Sequence, residues 1–391
     1  MSTAAGPLAG LRVMEFAGIG PGPFACLMLA ELGAEVIRID RPAAVGSPAR
    51  SVLGRSRPNL AVDLKSAQGR DVVLRLLRDV DVVVEGNRPG VMERLGLGPD
   101  DCLAVNPGLV YGRMTGWGQD GPLAQRAGHD ITYAALTGAL HASGGADKPR
   151  TTLNLVADFG GGAMFLVAGV LAALHERSRS GRGQVVDAAM VDGVSSLMTM
   201  VYGNHAVGRW EDRREANLLD GGTPYYDTYA CADGRFVAVG AIEPQFFAEL
   251  MRGTGLDFVQ HDRAAWPELR AALTRVFLTK TRDEWAAIFD GVDACVAPVL
   301  SLAEAPQHPQ LAERGTFTSY ADGHLPRIAP RFSRTPGLAP GETRPVGADS
   351  IEVLRASGFT ADEVGELIAA GVVAAAVPAP EADVRPGEVR V

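Results

Sequence analysis

Residues 11–40 read LRVMEFAGIGPGPFACLMLAELGAEVIRID, and the fold turns on how this stretch is parsed. Residues 11–16 suit a short buried strand, and the Gly/Pro run 18–23 suits a tight loop. Residues 24–32 suit a helix that Gly33 ends. Residues 35–39 are a second apolar strand, closed by Asp40. Strand, glycine loop, helix and strand make a βαβ unit, which starts a parallel α/β sheet. The loop also invites a dinucleotide reading, because Gly18-x-Gly20 is present and Asp40 lies 22 residues beyond Gly18. Pro23 stands where the third glycine belongs, and Pro21 and Pro23 remove two backbone donors that a phosphate would use. A rigid strand-to-helix turn is therefore favoured over a nicotinamide site.

Working outward, the alternation continues to about residue 115. Residues 60–64, 81–85 and 109–113 read as strands and 67–78 as a helix. Residues 159–177 make the clearest helix, with Asp158 as its N-cap. Residues 185–197 begin as strand and continue as helix. After about 220 the texture changes. Two β-like runs, 224–230 and 236–240, join through Asp233-Gly234, a hairpin signal, and helices follow at 245–252 and 282–289. Residues 326–340 read as an extended linker and 360–370 as a capped terminal helix. The Ala/Pro-rich tail 372–391 reads as mobile.

With 46 acidic and 37 basic residues, the net charge of −9 argues against a general nucleic-acid binder. An anionic ligand needs only a local cluster of Arg and Lys. Cys26, Cys102, Cys231 and Cys295 show no zinc spacing and read as reduced, buried thiols of a cytoplasmic protein. No signal peptide is evident, and the apolar run 164–174 is too short to span a bilayer, so no membrane partner is expected.

Two side chains stand out for proton chemistry. His129, in Gly128-His129-Asp130, has the one ordinary side-chain pKa near neutrality. Asp158 opens onto Gly160-Gly161-Gly162 at a helix start. There the first free amides of the helix can bond a developing oxyanion, and the glycines can let a substrate approach. Each has a plain alternative, a structural histidine and a simple cap. A helix start favours the carboxylate, whereas burial favours the acid. Arg41, Lys65 and Arg94 lie near strand ends, where they could hold phosphates; alone, each is an ordinary surface charge. Glu243, after the second strand of the smaller domain, matters only if folding brings it against His129. No metal-ligand spacing competes with this set.

The pattern as a whole resembles the family III CoA-transferase superfamily. The resemblance is carried by Gly6–Val13, the Gly18–Pro23 loop, Leu32–Arg41, Val62–Lys65, Asn87–Gly90 and Arg113–Gly118. Gly128–Tyr133, Leu153–Gly162, Gly183–Asp187 and Phe332–Pro336 agree as well. Within it the chain is most similar to the 2-methylacyl-CoA racemases, because the transferases usually carry an aromatic residue in place of His129. Leu153–Leu155, Gly221–Asp227 and Gly240–Pro244 agree with the racemases too.

The resemblance implies an interlocked homodimer of α/β subunits. Residues 1–200 and 326–391 would form a discontinuous, Rossmann-like CoA-binding domain with a parallel sheet, and 221–320 a smaller α+β domain. It implies an acyl-CoA substrate held by Arg41, Val62, Asp63, Leu64, Lys65, Arg94, Gly128, His129, Asp130, Ile131, Thr132 and Tyr133. It further implies catalysis by His129 and Asp158, with Glu243 reaching His129 across subunits and Asn154 and Gly160 in support. No metal, flavin or nicotinamide cofactor is expected, since CoA is part of the substrate. Met190, Met198 and Met200 could offer a pliant apolar surface to the acyl chain. Two other readings stay open: a CoA-transferase that uses Asp158 as nucleophile, and a non-catalytic acyl-CoA binding protein.

Overall fold

A computed structural model describes residues 6–45, 47 and 52–376. Most of the expected mobile tail lies outside them. The described residues form two compact units. The first takes those up to Tyr133, Asn154–Val194 and those from Ile328 onward, and the second takes Ala134–Leu153 and Ser195–Arg327.

The first unit is built on a seven-stranded sheet. Its strands are β1 (Arg12–Phe16), β2 (Glu35–Asp40), β3 (Asn59–Val62), β4 (Val82–Glu85), β5 (Val110–Thr115), β6 (Gln184–Ala189) and the edge pair Val373–Ala374. Across the sheet the order is Val373–Ala374, β3, β2, β1, β4, β5, β6. All pairings are parallel except the edge pair, which runs antiparallel to β3. Val372 and Val373 are buried, so the chain is docked at least this far. Two adjacent valines can bury enough apolar surface to hold a strand that the tail's composition concealed.

The chain winds from β1 outward in one direction and resumes at β4 in the other, so the sheet has a switch point between β1 and β4. Loops at the carboxyl ends of those two strands diverge there and leave a crevice. One face of the sheet packs a core that includes Met14, Ile37, Leu60, Val83 and Tyr111.

α1 (Pro21–Glu31) starts earlier than expected, because Pro21 and Pro23 fall in its first turn, where a missing amide costs nothing. Gly20 precedes it at φ 68°, a backbone state that glycine adopts at little cost. Arg57, fully buried, bonds Glu15 Oε2 at 2.7 Å and the Pro23 carbonyl at 3.0 Å, which ties this first turn to β1.

The long site helix also departs from expectation. It begins as a π-helix at Leu155–Met164 and continues as an α-helix over Phe165–Ser180. Spanning 26 residues, with an 18-residue stretch of mean hydropathy 1.9, it meets the length and composition of a membrane-crossing helix, unlike the shorter run read from the sequence. It packs on β5 and β6. Gly161 and Gly162 serve close packing on the helix Met190–Leu197, which follows β6, rather than substrate access. A Cβ at Gly161 would stand 2.8 Å from the Val194 amide, and one at Gly162 would stand 2.9 Å from Met190 Cγ. The reverse contact is tighter, since a Cβ at Gly193 would stand 1.8 Å from the Gly161 carbonyl oxygen. Backbone cannot yield as a flexible side chain does, so Gly193→Ala should destabilise the fold by about 3 kcal/mol, read from the denaturant midpoint. An unchanged midpoint would refute this packing argument.

The second unit holds a three-stranded antiparallel sheet of β7 (Tyr226–Ala230), β8 (Phe236–Gly240) and β9 (Val296–Pro298). Helices Pro244–Thr254, Trp266–Phe277 and Arg282–Ile288 accompany it. Thr281 and Glu284 form a capping box at the third helix. Tyr229, Phe277, Trp285 and Phe289 stack through the core. A second hairpin pairs β10 (Phe317–Tyr320) with β11 (Gly323–Pro326). Cys26, Cys102 and Cys231 are buried free thiols, whereas Cys295 is exposed, against expectation. It sits in the turn before β9 at φ 50°.

Candidate active site

The crevice at the switch point holds two adjoining cavities, both within the first unit. The smaller, of about 530 Å³, is walled by the loops after β1, β4 and β5, together with His129, Tyr133, Asp158 and Met190. The larger, of about 1210 Å³, runs past Arg38–Ala44 and Asp63–Lys65. Both are lined by Phe16–Gly20, Pro23 and Asn87, so they share a wall.

His129 and Asp158 therefore share the wall of one cavity, although 28 residues lie between them in sequence. His129 is exposed, and its backbone is locked. Its amide bonds Thr132 Oγ1 at 2.9 Å, and its carbonyl accepts the Thr132 hydroxyl at 2.7 Å and the Thr132 amide at 2.8 Å. Thr132 spends its side chain on this lock, and neither it nor Ile131 lines a cavity.

Asp158 is not the N-cap expected of it, because Asn154 occupies that position and the helix starts at Leu155. The amides of Ala157 and Asp158 are both taken by Asp130 Oδ2, at 2.8 Å each. This early start leaves the Asp158 carboxyl free to line the cavity. It also removes those two amides as oxyanion donors. Asp158 Oδ2 lies against the loop after β1, only 3.2 Å from where a Gly20 Cβ would stand. Burial pushes its carboxyl above the usual carboxylate range, and the Asp130 charge adds to this. The Asn154 hydrogen bond and the charge of His129 pull the other way. Burial thus outweighs the Asn154 hydrogen bond and the His129 charge.

Tyr133 is buried in a slot that glycines make for it. A Cβ at Gly116 would stand 2.1 Å from its ring, and one at Gly128 would stand 2.5 Å away. Trp117 meets it edge-on at 4.7 Å between centroids. Burial, then the Asp158 charge, pushes its phenol above the ordinary value.

The remaining candidates scatter. Arg41, Asp63, Leu64 and Lys65 line the larger cavity, and Gly128 lines the smaller. Val62 is fully buried in β3. Arg94 ends the short helix Val91–Arg94 and lines neither cavity, while its neighbour Leu95 lines the larger. Gly160 lies inside the π-helix. Met190 is buried in the cavity wall, whereas Met198 and Met200 belong to the second unit, where Met200 is exposed.

Glu243 also belongs to the second unit. It occupies the N-cap position of Pro244–Thr254 but makes no side-chain cap bond, so its carboxylate is uncommitted there. Gln260 Nε2 donates to the carbonyls of Ala241 and Ile242 at 3.2 and 2.7 Å, pinning the two residues before it.

Sequence reasoning passed over Arg88, Trp117 and Arg126 as members of the cavity wall, whereas Met190, offered as an apolar surface, does line it. Two of the three passed over had a local signal. Arg88 follows the apolar strand β4, and Arg126 stands three residues before His129. The role of the Asp130 side chain had none, because its partners are distant in sequence.

The model of CoA-transferase family III matches residues 8–350. An alpha-methylacyl-CoA racemase from Mus musculus is 46% identical over 369 residues, covering 92% of this chain and 96% of that protein. One from Homo sapiens is 43% identical over 367 residues, with the same coverage of both. Among solved structures, a CAIB/BAIF family protein from Brucella suis superposes with TM-score 0.76 at 25% identity, covering 90% of this chain and all of that one. By sequence match and by fold alike, the chain belongs to CoA-transferase family III.

Proposed function

We propose that the protein is an enzyme that epimerises C2 of 2-methylacyl-CoA thioesters by proton transfer on both faces of that carbon. The observation that carries this reading is the pairing of His129 with Asp158 on one cavity wall, the second carrying a carboxyl raised by burial. The identity to racemases over more than nine-tenths of the chain supports the substrate class.

His129 removes the C2 proton from one epimer and becomes imidazolium, leaving a planar enolate. Asp158 gives its proton to the opposite face of C2 and becomes a carboxylate. The reverse reaction exchanges the two roles; after each turnover the proton gained at His129 passes to solvent and Asp158 regains one from solvent, which resets the pair. A raised carboxyl suits this work, because a group that must both give and take a proton works best with its pKa near the working pH. Arg41 and Asp63–Lys65, beside the larger cavity, hold the CoA nucleotide, and Asn154 steadies the Asp158 carboxyl. The acid/base pair suffices for the chemistry, and no cofactor beyond the CoA of the substrate is invoked.

The same reading makes the protein a cytoplasmic homodimer, with no role at membranes or on nucleic acids. Leu155, Phe165, Leu197 and Met200 are large apolar residues between 37% and 57% exposed, and a second copy would cover them. Glu243 of that copy would then orient His129 and favour its imidazolium.

One epimer of a 2-methylacyl-CoA, incubated in heavy water without an acceptor acid, tests the reaction. Deuterium should enter C2 while the stereochemistry scrambles. CoA transfer to an added carboxylate without exchange would establish the transferase instead. Binding without either reaction would leave a non-catalytic binding protein.

A further inference from the structure

The loop that carries His129 and the turn that carries Asp158 meet at a single side chain. Asp130 is 8% exposed, and both amides it accepts belong to the first turn of the site helix. In a π-helix each amide bonds the carbonyl five residues back, so the first five amides of Leu155–Met164 lack an internal partner. Phe159 finds the Asn154 carbonyl at 3.2 Å. Ala157 and Asp158 find Asp130, which lies 27 and 28 residues earlier in the chain. One carboxylate therefore caps the turn from outside it, and its own backbone follows directly on His129.

We propose that Asp130 is a positioning residue for the proton-transfer pair: its carboxylate spans the two segments as a strut and sets a fixed negative charge beside Asp158. This rests on the epimerase reading above. The groups that face Asp158 make the charge consequential. His129 and Tyr133 come from the same segment as Asp130, and Asn154 precedes the turn. α1 brings the Gly20 backbone and a Phe24 ring tilted against Phe159, neither of them charged. On the strands beneath, Arg113 is paired with Glu85 and Glu93, and Asp187 accepts the Gln119 amide. Asp130 is thus the anionic neighbour that acts on the Asp158 carboxyl, after burial, to hold its proton.

Two variants separate the strut from the charge. Asp130→Asn keeps a side-chain carbonyl that can accept both amides but loses the charge. Epimerisation would be followed from each pure epimer as a function of pH. In the direction where Asp158 donates, the rate falls as pH rises through its pKa. In the direction where Asp158 accepts, the rate falls as pH drops through it. Removing the neighbouring anion lowers that pKa, so both Asp158 limbs should move to lower pH. A group that only stabilised the fold would leave both limbs in place. Asp130→Ala removes the strut as well, and a displacement of about 1 Å at the pair should cost ~100-fold in maximal rate. A far-UV circular dichroism spectrum and thermal midpoint close to wild type show that the variant is folded.

Asp130→Asn with wild-type limbs in both directions overturns the electrostatic half, and Asp130→Ala with wild-type rates overturns the strut. Asp158→Asn is assayed in parallel. If the wild type does not epimerise, the epimerase reading itself fails; if Asp158→Asn still epimerises, the role of Asp158 fails. If it is inactive while both Asp130 variants behave as wild type, only the present inference fails.

Discussion

Asp158→Asn should reduce epimerisation by ~1,000-fold or more, the upper part of the range for a positioned acid/base group. The amide nearly matches the carboxyl in shape, so it fits the space beside Gly20, where Asp158 Oδ2 is already close. It can neither release nor accept a proton at this step. One partial activity should survive. His129 still faces one side of C2, so the epimer whose proton points at it should exchange with heavy water and keep its configuration. The opposite epimer should neither exchange nor invert. Deuterium uptake and chiral analysis of each epimer together read the result. Epimerisation within tenfold of wild type would remove Asp158 from the mechanism.

The mirror experiment is His129→Gln, and its expected loss is of the same order, ~1,000-fold. Glutamine can keep hydrogen-bonding capacity at the site but cannot act as a base near neutral pH. The main-chain lock on His129 uses backbone atoms and the Thr132 hydroxyl, so the loop should survive the change. Exchange without inversion should now appear only with the epimer whose proton faces Asp158. This variant also separates the two chemistries of the family. A nucleophilic Asp158 would carry CoA between acids without help from an imidazole. His129→Gln should therefore abolish epimerisation and show no CoA transfer to an added carboxylate. Retained transfer would mean that the histidine is incidental.

The parallel sheet was legible in residues 11–40 because strand, turn and helix propensities act over a few residues. The hairpin through Asp233-Gly234 and the Thr360 capping box were legible for the same reason. The helix Trp266–Phe277 was legible in principle, since its buried Leu269, Ala272, Leu273 and Phe277 repeat with helical spacing. The edge pair Val373–Ala374 was hidden, because its stability comes from β3, some three hundred residues away.

At the site, residue types alone singled out His129 and Asp158 as the pair able to trade protons, and one histidine inclined the chain towards a racemase. Sequence also posed the opposition between helix start and burial at Asp158, but it could not weigh the two. That balance depends on how much protein lies over the carboxyl and which charges face it, and both are properties of the folded crevice. Tertiary structure moved the helix start to Leu155, spent two amides on Asp130 and turned the Asp158 carboxyl into the cavity. Local propensity reads a capping aspartate from its immediate neighbours. It carries no information about a competing carboxylate that arrives from a distant loop, and that carboxylate is what freed Asp158 for chemistry.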